Sequence, residues 1–146
     1  MQEHPGEEKL ACTNDFAIRS DSLLGMRNVF GIDFDSEICT MEKGVALKAV
    51  HDGEVSVCMA DATDSAIVKY GLTALADDGN YFPAYNMVPL FSAQFAAEHP
   101  DVVELLNKLS PLFTDEAMRE LNYTIDVDGE EPEDVAVAFL TEHGLI

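Results

Sequence analysis

The chain has 146 residues, with 28 acidic side chains against 8 basic and a formal net charge of −20; that length serves one good core and is short for two. Its hydrophobic content of 47% is that of a globular protein rather than a disordered one. So few cations cannot replace the counterions condensed along DNA or RNA, so nucleic acid is excluded as a partner. The acidity itself has three readings that charge alone does not separate: a solvated, self-repelling surface, life in salt that screens the repulsion, or concentration of cationic ligands.

Residues 1–8 read as a polar lead-in without the basic start and apolar stretch of an export signal. Either the protein is cytosolic or such a signal lies outside this chain. Residues 9–13 form a strand candidate and 14–20 a loop, with Ser20 or Asp21 as N-cap of a helix that Gly31 ends. Residues 37–41 are a second strand candidate. A helix over 44–51 places Ala46, Ala49 and Val50 on one face and stops at Asp52-Gly53. Residues 55–60, apolar almost throughout, predict the central strand. Thr63 then caps a helix with Ala66, Ile67 and Tyr70 along one face, closed by Gly71. Residues 72–76 predict another strand, ended by the turn 77–80. Strands and helices alternating in this way predict an α/β fold of βαβ units around a largely parallel sheet.

The character changes after Asn86. Residues 87–91 read as one extended crossing segment, which Pro89 keeps from being an ordinary central strand. The rest is helical, with a stripe of Val102, Leu105, Leu106 and Leu109, a helix capped by Thr114 and running through Leu121, and a last helix from Pro132 through Glu142 before Gly144. Such a tail must bury its apolar faces, either on the α/β unit or on structure that this chain does not contain. No apolar run reaches the ~18 residues of a membrane span.

Cys12, Cys39 and Cys58 each lie in a short apolar run without C-x-x-C spacing, so buried, reduced thiols are expected. His4, His51, His99 and His143 lack metal-site spacing. Asp126, Asp128 and Gly129 begin like a calcium loop, but the glycine comes too early and Pro132 breaks the ligand register. Asn122-Tyr123-Thr124 fits a glycosylation sequon, a match that arises easily by chance. No dinucleotide, P-loop or nucleophile-elbow motif is present, and no defined acid/base pair is legible. An enzyme is therefore not expected, nor a cofactor or metal.

The remaining candidates fall near the carboxyl ends of the strands, where open α/β sheets bind ligands. Arg19 follows the first strand, Asp61, Thr63 and Asp64 follow the third, and Tyr85 and Asn86 close the aromatic stretch "YFPAYN". Each also has an ordinary account. Arg19 pairs with any of many carboxylates, Thr63 and Asp64 cap a helix, and Tyr81 and Phe82 pack in a core.

At these residues the chain resembles the later part of the glycine betaine/carnitine/choline-binding proteins of ABC importers. Their E-F-x-x-R-x-D-G-x-x-G-L corresponds to "DFAIRSDSLLGM", and their G-D/E-V strand and Y-S-T-D to "GEVSVCMADATD". L-x-D-D and F-P-P-Y correspond to "LADDGNYFPAY", and L-N-Y-x-V-D with the final helix to "LNYTIDVDGEEPEDVAVAFLTEHGLI". Order and spacing agree from Lys9 to Ile146.

The resemblance implies a two-lobed, type II periplasmic-binding-protein fold that closes over its ligand like a hinge. Residues 9–86, after a leader at 1–8, would be most of one α/β lobe; residues 87–146 would cross the hinge and supply C-terminal helices of the other. The chain would then be a fragment, lacking the family's earlier residues and their share of an aromatic cage. The implied task is capture of a quaternary ammonium solute outside the cytoplasm and delivery to ABC permease subunits, with the membrane met only through the permease or an anchor outside this chain. Tyr85 would form one cage wall and Arg19 would hold a betaine carboxylate, whereas Thr63 and Asp64 match a T-D pair of mainly structural use. Asp61 stands where the family has an aromatic residue, which favours choline or another cation without a carboxylate. The alternatives are a ligand-sensing regulatory domain on the same fold, and a fragment whose tail helices exchange between two copies in a homodimer.

Overall fold

The computed structural model describes residues 9–31 and 38–146. In chain order it contains β1 (Leu10–Cys12), α1 (Asn14–Ile18), α2 (Leu23–Phe30), β2 (Ile38–Thr40), α3 (Lys43–His51), β3 (Val57–Cys58) and α4 (Ser65–Tyr70). Then follow α5 (Ala93–Glu98), α6 (Pro100–Leu109), a 3-10 turn at Ser110–Leu112, α7 (Asp115–Asp126) and α8 (Pro132–Glu142).

The three strands form one parallel sheet in the order β2-β1-β3. Leu10 lies opposite Ile38 on one side and Val57 on the other, which makes β1 the central strand. The expectation that residues 55–60 hold the centre is overturned; only Val57–Cys58 pair, on β1's flank. The reason is burial on both faces: all of β1 is buried, while β3 is half-buried. Leu10 and Cys12 pack with Leu23 of α2 and with Phe16 and Ala17 of α1 on one face. Ala11 packs with Ala46 and Ala49 of α3 on the other. This is the alternation a doubly covered parallel strand requires.

Local signals set several element ends where the sequence places them. Gly31, Gly71 and Gly144 follow their helices at φ of 64°, 61° and 67°, the left-handed conformation that terminates a helix at low cost in glycine. Thr114 accepts from the Ala117 N–H at the start of α7, and Pro132 opens α8. Other expectations need correction. Residues 14–18 are helical rather than a loop, because the Thr13 hydroxyl accepts from the Phe16 N–H. α2 starts after Ser22, not Ser20 or Asp21. Asp64, not Thr63, is the residue before α4. α7 continues to Asp126 rather than ending at Leu121.

Residues 72–92 hold neither helix nor strand, so the strand expected over 72–76 is not formed. A strand needs a partner for its ladder, and the described sheet ends at β2 and β3. Along this stretch Met87 and Leu90 are 82% and 88% exposed. The tail helices α5 to α8 likewise contain no fully buried residue. Among the described residues no helix is long and apolar enough to cross a membrane.

Of the cysteines, Cys12 is buried and Cys39 and Cys58 are half-buried, all as free thiols. Burial first, then Cys39, pushes the Cys12 thiol up; burial first, then the charge of Asp64, does the same for Cys58. Neither is thiolate near neutral pH. We therefore expect iodoacetamide at pH 8 to label these two rapidly only after denaturation; rapid labelling of Cys12 in the native chain would contradict its burial.

Candidate functional site

The strand order contains a topological switch. The chain leaves β1 toward β2, then returns past β1 to β3, so successive connections diverge between β1 and β3. Open α/β sheets bind ligands in the crevice outside the carboxyl ends of the strands at such a point. Arg19 ends α1, which directly follows β1, and Asp61, Thr63 and Asp64 follow β3. These candidates flank the switch.

Arg19 forks onto Asp21: Nε donates to Oδ1 at 2.8 Å and Nη2 to Oδ2 at 2.5 Å. That hydrogen bonding and the Asp21 charge hold the guanidinium far above its ordinary range, with smaller contributions from the Tyr85 phenol and Asp15. Hydrogen bonding to Arg19 lowers the Asp21 carboxyl in turn. Tyr85 is thus within electrostatic reach of Arg19, and it is 79% exposed. Asn86 beside it is also exposed.

Tyr81 and Phe82 behave differently. The Tyr81 hydroxyl donates to the Ser22 carbonyl at 2.9 Å, and its ring meets Phe30 and Phe82 edge-on at 5.7 and 5.0 Å. The backbone N–H of Phe82 donates to Asp77 Oδ2 at 2.8 Å. Backbone N–H groups of Tyr81 and Phe82 lower the Asp77 carboxyl. Tyr81 is therefore an anchor on α2, and the chain beyond it projects Tyr85 outward.

The 61–64 loop is tied from two sides. Lys43 Nζ contacts Asp61 Oδ2 at 2.5 Å and Asp64 Oδ1 at 2.8 Å. The Asp61 N–H donates to Asp64 Oδ2 at 2.8 Å. From α7, Arg119 Nε donates to the Ala62 carbonyl at 2.8 Å and Asn122 Nδ2 to the Thr63 carbonyl at 2.9 Å. Ser65 Oγ donates to Asp126 Oδ2 at 2.7 Å. One tail helix therefore packs on the α/β unit. Thr63 contributes its carbonyl to this clamp, and Asp61 shares the Lys43 ammonium with Asp64.

Asp21, Lys43, Asp77, Arg119 and Asn122 were not among the sequence candidates. Only Lys43 carries a local signal, a cation in a first helical turn, where the dipole disfavours it. No group of three or more metal-ligating side chains occurs among the described residues. A concavity of about 480 Å³ lies between α7 and α8 around Leu121, Glu130 and Phe139. It shares no residue with the candidates.

A family model described as the substrate-binding domain of ABC-type glycine betaine transport systems matches residues 1–142. A glycine-betaine-binding protein of Pseudomonas aeruginosa is 31% identical over 148 residues, covering 100% of this chain and 48% of that protein. A carnitine transport binding protein of Listeria monocytogenes is 30% identical over 84% of this chain and 40% of its own length. A crystal structure described as a glycine betaine/carnitine/choline ABC transporter superposes with a TM-score of 0.89 at 29% identity, over 98% of this chain and 52% of that one. The chain spans about half the length of the relatives it matches.

Proposed function

The chain belongs to the family of substrate-binding domains of ABC-type glycine betaine transport systems, and from that premise we propose that it forms part of a protein that captures a quaternary ammonium solute for import. The observation that carries this reading is the family match over residues 1–142; to the solute we assign Arg19, which follows β1 and α1, and the exposed Tyr85. A quaternary ammonium has no N–H to donate, so it is held by aromatic faces, each worth ~0.5–2 kcal/mol. Tyr85 is one such face, standing clear of the packing that occupies Tyr81. Arg19 offers a planar fork to a carboxylate on the same solute. The task is capture without bond-making, consistent with relatives named for binding and transport.

In this reading the chain works outside the cytoplasm with ABC permease subunits, and residues 9–86 are most of one lobe. Residues 87–91 would cross the hinge and the tail helices belong partly to the other lobe, although α7 also clamps the 61–64 loop. Asp61 stands as part of a loop whose charge Lys43 partly offsets, rather than as a cation-binding wall.

Calorimetric titration of choline, glycine betaine and carnitine into the longest native polypeptide containing this chain tests the proposal. Saturable binding is expected, weakening about tenfold or more on Tyr85→Ala. Absence of binding by a folded protein, or an unchanged affinity in the variant, counts against the solute class or the wall respectively.

A further inference from the structure

Lys43 occupies a position that helix physics disfavours. It is the first residue of α3, whose first turn contains no acidic residue, and a cation there opposes the helix dipole. Its ammonium reaches instead to the loop after β3, to Asp61 at 2.5 Å and Asp64 at 2.8 Å. The strand order gives that reach a consequence. α3 begins just past the carboxyl end of β2 and the loop just past that of β3, with β1 between them. The ion pair therefore bridges the carboxyl end of the central strand, at the edge that carries the candidate site.

The three groups are not equivalent. Asp64 is 18% exposed, Lys43 34% and Asp61 63%, so Asp61 presents its charge outward while Asp64 lies beneath. Burial pulls the Lys43 ammonium down, but hydrogen bonds to Asp61 and Asp64 together outweigh it and the net shift is upward. Lys43 is therefore a permanent cation at any physiological pH.

The geometry points to Lys43 as a specificity-determining residue: by cancelling one of the two carboxylates of the 61–64 loop, it lets a solute bearing its own carboxylate approach an edge that would otherwise repel it. This rests on the solute-binding reading above. With Lys43 present, the trio carries a net charge of one negative unit, tolerable to a zwitterion such as glycine betaine. Without it, two negative charges attract a plain cation and repel a carboxylate.

The test is a calorimetric comparison of choline, a cation, with glycine betaine, a zwitterion, in the longest native polypeptide containing this chain. Thermal melting checks that each variant is folded. Lys43→Met is expected to shift the ratio of choline to betaine affinity about tenfold toward choline, a change of ~1.4 kcal/mol. Lys43→Arg should restore the wild-type ratio, and Asp61→Asn in the Lys43→Met background should return the ratio toward it. Asp61→Asn alone should move the ratio toward betaine, which keeps the inference testable if Lys43→Met does not fold. Wild-type binding with an unchanged ratio in the folded Lys43→Met or Asp61→Asn variant overturns the role of Lys43 and leaves the solute-binding reading intact. No binding of either ligand by the folded wild type overturns both.

Discussion

Gly25→Ala is expected to destabilise the protein by about 3 kcal/mol and to lower its melting temperature by roughly 6–12 °C. Propensity alone predicts the opposite, since glycine in a helix interior costs ~1 kcal/mol relative to alanine. Packing decides the sign. A Cβ at Gly25 would lie 2.1 Å from the Ser20 carbonyl oxygen and 2.1 Å from the Tyr81 hydroxyl, well inside contact distance. One obstacle is backbone and the other is tied to the Ser22 carbonyl at 2.9 Å, so neither can swing away freely. Tyr81→Phe removes only the second obstacle. The double variant should recover part of the loss and no more. Circular dichroism melting of the three variants checks this, and a melting temperature for Gly25→Ala at or above wild type would show that the α2–Tyr81 contact is not close. The effect extends to the site, because the segment carrying Tyr85 is anchored through Tyr81.

How far the fold was readable depends on whether each feature is set locally. Gly31, Gly71, Thr114 and Pro132 act within one helical turn, and each marks the element end or start it signals. The Thr13 cap obeys the same rule, but α1 is only five residues long and has too little periodicity to stand out. Strands are set by partners. Residues 55–60 and 72–76 are apolar enough for strands, yet only Val57–Cys58 meets a neighbouring ladder, and no pattern within either run decides that. The site divides the same way. Arg19 and Tyr85 stand out by residue type in an acidic, aromatic-poor chain, and the family resemblance adds order and spacing. Arg119 and Asn122 act on carbonyls 57 and 59 residues away in sequence, which only the docking of α7 on α4 reveals. The partner of Asp61 was hidden for a similar reason: Lys43 is 18 residues distant, across the sheet edge.

Removing the Arg19 guanidinium should separate the ligands more sharply than any other change at the site. For Arg19→Ala, glycine betaine affinity is expected to fall roughly 10–100-fold, as for loss of a hydrogen-bonded charge, while choline affinity changes little. The two N–H groups that now donate in parallel to Asp21 form the fork a ligand carboxylate would need. Because the pair with Asp21 is exposed, water and salt reduce its net worth, so a ligand carboxylate can take the place of Asp21 at little cost. Asp21→Asn removes that internal competitor and should tighten betaine without tightening choline. The depressed Asp21 pKa fixes the pH behaviour. The carboxylate is ionised throughout pH 5–8 and is lost only as pH falls through its lowered folded value, so the competition should be flat across that window. Arg19→Lys retains the charge but not the planar fork, and an intermediate loss for betaine would identify bidentate recognition rather than charge alone. Equal losses for both ligands would instead make Arg19 a structural residue. No loss for either would remove it from the site.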